Sequence, residues 1–214
     1  MQLTDYFWYF KSALSPQFCE EVIRYCQSKE KLLGVTGHYN HPKELNLEQL
    51  KDLKQKRNSD VVWVNDQWIM NEIHPYINMA NKNAGWNFAI DAVETAQFTE
   101  YKKDQFYGWH SDQFEKPYGA EEVSPEGKKI DPVLKGRIRK LSVTVLLSDP
   151  KDYEGGELEF QYRNKDDPNL PITCLIREKG SVIVFPSFVW HRVRPVTKGV
   201  RHSLVIWNLG YPFK

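Results

Sequence analysis

FPSFVWHRVRPVTKGVRHSLVIWN, residues 185–208, holds two β-patterned runs around the short turn PVTKG. Successive strand side chains point to opposite faces, so Arg201, Ser203, Val205 and Trp207 share one face and His202 takes the other. A tight turn would make the two runs antiparallel neighbours and set His191 within a cross-strand step or two of Arg201 and Ser203. An arginine on a face otherwise made by Val205 and Trp207 needs an anion, because burying an unpaired charge is costly. That anion is either a sheet carboxylate or a ligand.

Outward from this stretch the texture is β back to about residue 88. Strands are predicted over 95–101, 106–110, 141–147, 157–161, 181–185, 188–194 and 201–208, separated by Gly, Pro and Asp turns. No period of 20–50 residues recurs, which excludes a repeat architecture. The N-terminal part reads differently. An aromatic strand, Tyr6 to Phe10, precedes Ser15-Pro16, an N-cap followed by proline at the first helical position. Phe18, Val22 and Tyr25 then fall on one helical face. Asn46 caps a second, charged helix with Leu47, Leu50 and Leu53, and VVWV (61–64) is a short strand. Trp68, Ile69, Ile73, Tyr76, Ile77 and Ala80 pattern a third helix, which Pro75 is expected to kink. Helices followed by a run of strands predict one α+β domain over 1–214, with helices on one face of an antiparallel sandwich or barrel. Residues 1–90 would be its supporting strand and helices, and 91–214 its β core.

With 214 residues, 41% hydrophobic and 27% charged, the chain can bury a sizeable core. A net charge of +1 supplies no global pull toward nucleic acid or acidic membrane. No run is long enough for a membrane span, and the start MQLTDYFWYFKSALSP lacks the parts of a secretory signal. The three cysteines, Cys19, Cys26 and Cys174, form no even framework, so a reduced, cytoplasmic protein is expected.

YGWHSD (107–112) places His110 and Asp112 on the same side of a strand end, two residues apart. A His-x-Asp pair alone is a weak metal signal, and a strand-end histidine beside a solvated aspartate explains it equally well. With His191 as third member, two histidines and a carboxylate make a facial triad that leaves coordination positions open for iron. Zinc would accept the same ligands. A guanidinium close by fits a carboxylate bidentately and tilts the choice toward iron with a keto acid.

From AQFTEYKKDQFYGWHSD (96–112) to the C-terminus, the chain resembles the prolyl/lysyl hydroxylase (prolyl 4-hydroxylase-like) branch of the 2-oxoglutarate/Fe(II) dioxygenases. LSVTVLLSDPKDYEGGELEF (141–160), with its Gly155-Gly156 turn, and GSVIVFPSFVWHRVRPVTKGVRHSLVIW (180–207) carry the likeness further. The first ~90 residues match only as a supporting strand and helices. The resemblance implies a double-stranded β-helix, a jelly-roll or cupin-like barrel. It places the iron ligands on His110, Asp112 and His191, and the 2-oxoglutarate anchor on Arg201. Tyr101, Ser203 and, on the neighbouring strand, Thr144 would assist that anchor. Tyr101 opens YKKDQFY, which stands where the family has Tyr-x-x-Gly-Gln-x-Tyr, with Asp104 at the glycine. Fe(II), 2-oxoglutarate and O₂ are the implied cofactors, with ascorbate a potential stimulant.

The implied reaction is hydroxylation of an unactivated C–H bond with release of succinate and CO₂. A prolyl residue in a peptide is the first substrate reading, bordered by Tyr107 and Trp207. Lysine, a free amino acid or another small molecule would use the same motifs. A non-catalytic metal-binding barrel would need no keto-acid anchor. A related branch demethylates alkylated nucleic acid with a second arginine downstream of the anchor, and RHSLVIWNLG (201–210) has none. Neither a nucleic acid nor a membrane partner is expected, and the oligomeric state is not readable. Residues 114–140, with three prolines, three glycines and many charges, are expected to form a lid over the site. His38, His41, His74 and His202 are expected to be surface or packing residues.

Overall fold

The computed structural model describes residues 6–36, 43, 45–119, 129, 131–161 and 171–213. Among the described residues, fifteen strands and three α-helices follow one another. First come β1 (Trp8–Phe10), α1 (Pro16–Gln27), β2 (Leu32–Leu33), α2 (Leu47–Lys56), β3 (Arg57–Asn58), β4 (Asp60–Val64) and α3 (Gln67–Asn83). Then β5 (Ala92–Val93), β6 (Ala96–Tyr101), β7 (Phe106–His110), β8 (Ile138–Leu146), β9 (Tyr153–Gly155) and β10 (Leu158–Gln161). Last are β11 (Pro171–Thr173), β12 (Val182–Pro186), β13 (His191–Val193), β14 (Val196–Gly199) and β15 (Arg201–Gly210).

The helix starts form as their chemistry dictates. Ser15 Oγ accepts from Phe18 N ahead of Pro16, and Asn46 and Gln49 exchange both bonds of a capping box. Helix α3 continues unbroken through Pro75.

Two antiparallel sheets face each other. The major sheet runs β1-β12-β8-β15-β6-β4-β2, with β5 added to β15, and the minor sheet runs β11-β10-β13-β7-β3. This is the double-stranded β-helix. On the outer face of the major sheet, Phe98, Val143, Val145, Val184, Leu204 and Ile206 meet Cys19 and Val22 of α1 and Ile69, Ile73 and Ile77 of α3. Helix α2 packs elsewhere, against β3 and β7 at the rim of the minor sheet. Between the sheets, Phe160 and Leu158 meet Tyr101, Leu146, Ile183 and Phe185. Strand alternation thus divides β8 between two cores: Val143 and Val145 face the helices, while Leu146 joins the inter-sheet layer.

One expectation is overturned. PVTKG does not close a hairpin between the strands of His191 and Arg201. Val196–Gly199 is itself a strand, β14, paired with β9. It carries the chain from β13 in the minor sheet to β15 in the major one. The run predicted over 188–194 is correspondingly short, because Val189 N bonds back to Pro186 O in a turn before β13 begins. The physical reason is the pair of glycines at 155 and 156, with φ of 75° and 64°, which bring β9 under Pro195–Thr197. A Cβ on Gly155 would sit 2.3 Å from Pro195 O.

The turn at the variant motif position is also defined. Asp104 takes the left-handed conformation, φ 66°, which glycine favours and Asp tolerates. Its N–H reaches Val196 O at 2.8 Å, which ties the β6–β7 turn to β14. The segment 114–140 ends earlier than expected, since β8 begins at Ile138. Its described arms are tied down: Tyr118 N donates to Arg137 O, and Gly136 N to Tyr118 O. Residues 120–128 and 130, where the lid would have its centre, lie outside the described residues, as do His38 and His41. Among the described residues no helix is long and apolar enough to cross a membrane. Cys19, Cys26 and Cys174 are free and buried.

Candidate active site

His110 closes β7, Asp112 follows two residues later, and His191 opens β13 directly opposite His110 in the minor sheet. Each imidazole is fixed by the backbone. His110 Nδ1 lies 2.9 Å from Gly108 O, and His191 Nδ1 lies 2.9 Å from Val189 O. A carbonyl only accepts, so both Nδ1 atoms carry hydrogen, which leaves Nε2 of each ring as the atom turned toward Asp112. Burial, aided by the His191 ring, pushes the pKa of His110 down to about 3, so it is neutral near pH 7. Burial opposes ionisation of Asp112, but the adjacent His191 and His110 rings outweigh it and hold the carboxyl down to about 2.

His110 Nε2 is 3.7 Å from Asp112 Oδ1, and His191 Nε2 is 3.6 Å from Asp112 Oδ2. The potential ligand atoms all lie within 4.8 Å of one another. Asp112 Oδ2 is buried with no hydrogen-bond partner among the described residues. Three potential ligand atoms therefore converge on one point from buried or half-buried side chains, an arrangement suited to a cation.

Arg201 supplies the second unbalanced charge. It is 2% exposed, its Nε has no partner among the described residues, and Nη1 donates to Ser203 Oγ at 3.1 Å. Among the described residues no carboxylate pairs with it, so the alternative of a structural salt bridge to the sheet is not realised. Its guanidinium stands 5.5 Å from the Tyr101 ring centroid, across the β15–β6 pair in which the two residues are direct partners. Gly156 makes room for the arginine stem, since a Cβ there would lie 2.8 Å from Arg201 Cδ. A buried cation with free donors beside hydroxyls is the chemistry that receives a carboxylate.

One cleft, about 430 Å³ with its solvent-open mouth included, brings these groups together. His110, Asp112, His191, Arg201, Tyr101, Ser203, Thr144, Tyr107 and Trp207 all line it. His191 and Arg201 enter from facing sheets, which the antiparallel-neighbour reading did not foresee. Five further lining residues escaped the sequence reading, Arg57, Gln97, Thr99, Leu158 and Val193, while Val205 lines the cavity on the face that alternation gives it with Arg201. Alternation along AQFTEY could have placed Gln97 and Thr99 beside Tyr101. Nothing local marks Arg57, which lies on the two-residue strand after α2. Its guanidinium donates to Gln97 Oε1 at 2.6 Å and covers the Tyr107 ring at 4.5 Å.

Arg139 was also missed, and a β-bulge is the reason. Asn208 pairs with Leu141 but Leu209 pairs with Arg139, so Lys140 is the extra residue on β8. Strict alternation from Ser142 would turn Lys140 inward. The bulge turns Arg139 inward instead, over the Trp207 ring at 4.0 Å and paired with Glu94 at 2.7 and 2.5 Å. His202 points the other way, to Glu100 and Ser148, as the alternation requires. His74 lies on α3, away from the cavity.

The family model of the 2OG-Fe(II) oxygenase superfamily matches residues 96–208, more than half of the chain. The chain belongs to this superfamily. Its members use Fe(II) and 2-oxoglutarate, and the converging triad of this oxygenase fits Fe(II). Among curated proteins, the oxygenase is 33% identical over 147 residues to the PKHD-type hydroxylase YbiX of Escherichia coli (strain 55989 / EAEC), covering 65% of this chain and 53% of that one. A PKHD-type hydroxylase of Synechococcus sp. (strain CC9902) is 36% identical over 106 residues, covering 49% and 36%. The aligned part of the chain thus spans about half the length of these relatives or less.

Solved structures share the fold at low identity. The viral collagen prolyl hydroxylase of Paramecium Bursaria Chlorella virus-1, in its 2OG complex, superposes with TM-score 0.61 at 18% identity, covering 96% of each chain. A Trichoplax adhaerens prolyl hydroxylase in complex with a hypoxia inducible factor peptide fragment gives 0.60 at 17%, covering 97% of this chain and 85% of that one.

Proposed function

We propose that this oxygenase hydroxylates a prolyl residue within a peptide or protein, using Fe(II) and 2-oxoglutarate. The observation that carries the reading is the pairing, in one cavity, of three converging ligand atoms with a buried arginine that has no counterion among the described residues. His110, Asp112 and His191 would hold the metal. Arg201 would bind the distal carboxylate of 2-oxoglutarate, with Tyr101, Ser203 and Thr144 offering hydroxyls around it. Bound there, the metal and keto acid supply the O₂-derived oxidant for an unactivated C–H bond, with release of succinate and CO₂.

The chain's own part is positional. The backbone carbonyls of Gly108 and Val189 keep both imidazoles in the metal-binding tautomer. Phe160, Phe185 and Leu158 close the floor of the site against water. Tyr107 and Trp207 would border the substrate, and aromatic walls suit the flat apolar ring of proline. The Trichoplax relative, which holds a peptide fragment, supports the substrate class. Free, buried cysteines support a reducing compartment, the cytoplasm.

The test is mass spectrometry on a panel of proline peptides, lysine peptides and free amino acids, incubated with Fe(II) and 2-oxoglutarate. A gain of one oxygen on proline peptides, matched by succinate, is expected. Stimulation by a free amino acid alone would remove the peptide reading and keep the oxygenase one.

A further inference from the structure

Two buried indole N–H groups at the cleft have no acceptor. Nε1 of Trp63 and Nε1 of Trp207 are each sealed from solvent and unpaired among the described residues. The two rings stand 6.1 Å apart, their planes 38° from parallel. Trp207 lines the cleft. Trp63 adjoins it through Gln97, a lining residue and its direct cross-strand partner on β6. Gln97 spends its acceptor oxygen on Arg57 Nη2 at 2.6 Å and Thr99 Oγ1 at 3.3 Å, which leaves its amide nitrogen to donate. An indole nitrogen donates and never accepts, and a donor left unpaired away from water is costly.

Arg57 adds charge to this wall. The residue is 3% exposed, and its nitrogens bond only neutral acceptors: Nε to Ser59 Oγ and Nη1 to Val35 O, both at 2.9 Å, and Nη2 to Gln97 Oε1. A guanidinium has five N–H bonds, so two stay open. Among the described residues no carboxylate pairs with it. Glu94, whose N–H bonds Trp207 O, is committed to Arg139 and Tyr118. The permanently charged residues that line the cleft are Arg57, Arg201 and Asp112, two positive charges against one negative. Fe(II) and the 2-oxoglutarate dianion add equal charge of each sign, so one positive charge is left over with both bound.

We propose that the wall made by Arg57, Gln97, Trp63 and Trp207 binds a carboxylate of the substrate. A peptide carbonyl would satisfy the indole donors and leave the charge. A carboxylate answers both, because its two oxygens offer about four lone-pair sites and can accept from a guanidinium and neighbouring N–H groups together. The proposal rests on the peptidyl-proline reading and adds a selectivity to it. The favoured peptide carries negative charge close to the target proline, as an Asp or Glu side chain or as the C-terminal carboxylate.

The test reads binding, not turnover. Isothermal titration calorimetry uses the full chain with Fe(II) and 2-oxoglutarate under nitrogen. The probes are acetyl-Ala-Ala-Pro-Ala-Ala-amide with a Glu scanned through the four alanine positions, the matching Gln peptides, and acetyl-Ala-Ala-Pro as free acid and as amide. A Glu peptide should bind roughly tenfold or more tightly than its Gln counterpart if a side chain is the source, the range for a charge-assisted bond. The free acid should exceed its amide likewise if the C-terminus is. In Arg57→Met that ratio should fall to near one. In Trp63→Phe, which keeps an aromatic ring and loses the N–H, it should fall several-fold. A ratio taken within each protein cancels any general loosening of the site, and Trp63→Phe decides alone if Arg57→Met does not fold. A ratio near one for every pair in wild type, no binding of any probe, or an undiminished ratio in the folded variants would each overturn the carboxylate site. Equal binding of all probes with oxygen gained in air would overturn it and keep the prolyl reading. Acid-dependent binding with no oxygen gained by any of these peptides would count against the prolyl reading alone.

Discussion

Tyr107 lies flat on His110, with ring centroids 3.5 Å apart and planes 10° from parallel. The Arg57 guanidinium covers the Tyr107 ring at 4.5 Å. Three layers thus brace one side of the candidate metal centre. Tyr107→Leu should loosen the imidazole and weaken Co(II) binding about tenfold, the range for groups that orient a ligand. Titration of the cobalt absorption band checks this. An unchanged metal affinity with a raised peptide KM would instead make Tyr107 a substrate wall.

Asp112→Asn keeps the side-chain volume and removes the charge between the two histidines. Metal binding should fall by more than a hundredfold while the far-UV spectrum holds. His110→Ala and His191→Ala should do the same. Two of the three variants binding Fe(II) like wild type would sink the triad.

Arg201→Met should lower 2-oxoglutarate affinity roughly 10- to 150-fold, the loss of charge-assisted bonds worth about 1.5–3 kcal/mol. Metal affinity should not change. In the absence of 2-oxoglutarate the variant should melt no earlier than wild type, because it removes a buried cation with no counterion among the described residues. Calorimetry with and without the keto acid separates the two effects.

Gly156→Ala places a methyl 2.8 Å from Arg201 Cδ and strains a backbone at φ 64°. It should weaken 2-oxoglutarate binding without touching the metal. Equal loss of both ligands would point to a misfolded core.

Glu100 is buried on the outer side of the sheet with Lys31 at 2.8 Å, Lys102 at 3.2 Å and His202 at 3.2 Å. Burial alone would raise its pKa, but hydrogen bonds from Lys31, Lys102 and His202 prevail and bring it to about 2. A carboxyl depressed on folding stabilises above its unfolded value, and that contribution is lost as pH falls through the folded one. Glu100→Gln should therefore cost roughly 3 kcal/mol near pH 7. The gap to wild type should close between about pH 4.5 and pH 2. Thermal melts across that window check it, and a pH-independent gap would exclude an ionic origin.

What the residues alone determined was periodic or local. Ser15-Pro16 and Asn46 set helix starts because a cap needs only a few neighbouring residues. Alternation placed Arg201, Ser203 and Trp207 on the cavity side and His202 on the other, because period two is a property of the strand itself. What only the tertiary structure decided was which strands meet. PVTKG reads as a hairpin, yet its residues pair with Tyr153–Gly155, so His191 and Arg201 face each other across the barrel. The extra residue at Lys140 swaps which of two adjacent cations turns inward over Trp207, a register fact that β8 shows only against β15. Arg57 reaches the cavity from the two-residue strand β3 through its pairing with Tyr107. Local rules act within a few residues, whereas long-range pairing depends on which hydrophobic faces the whole chain can bury at once.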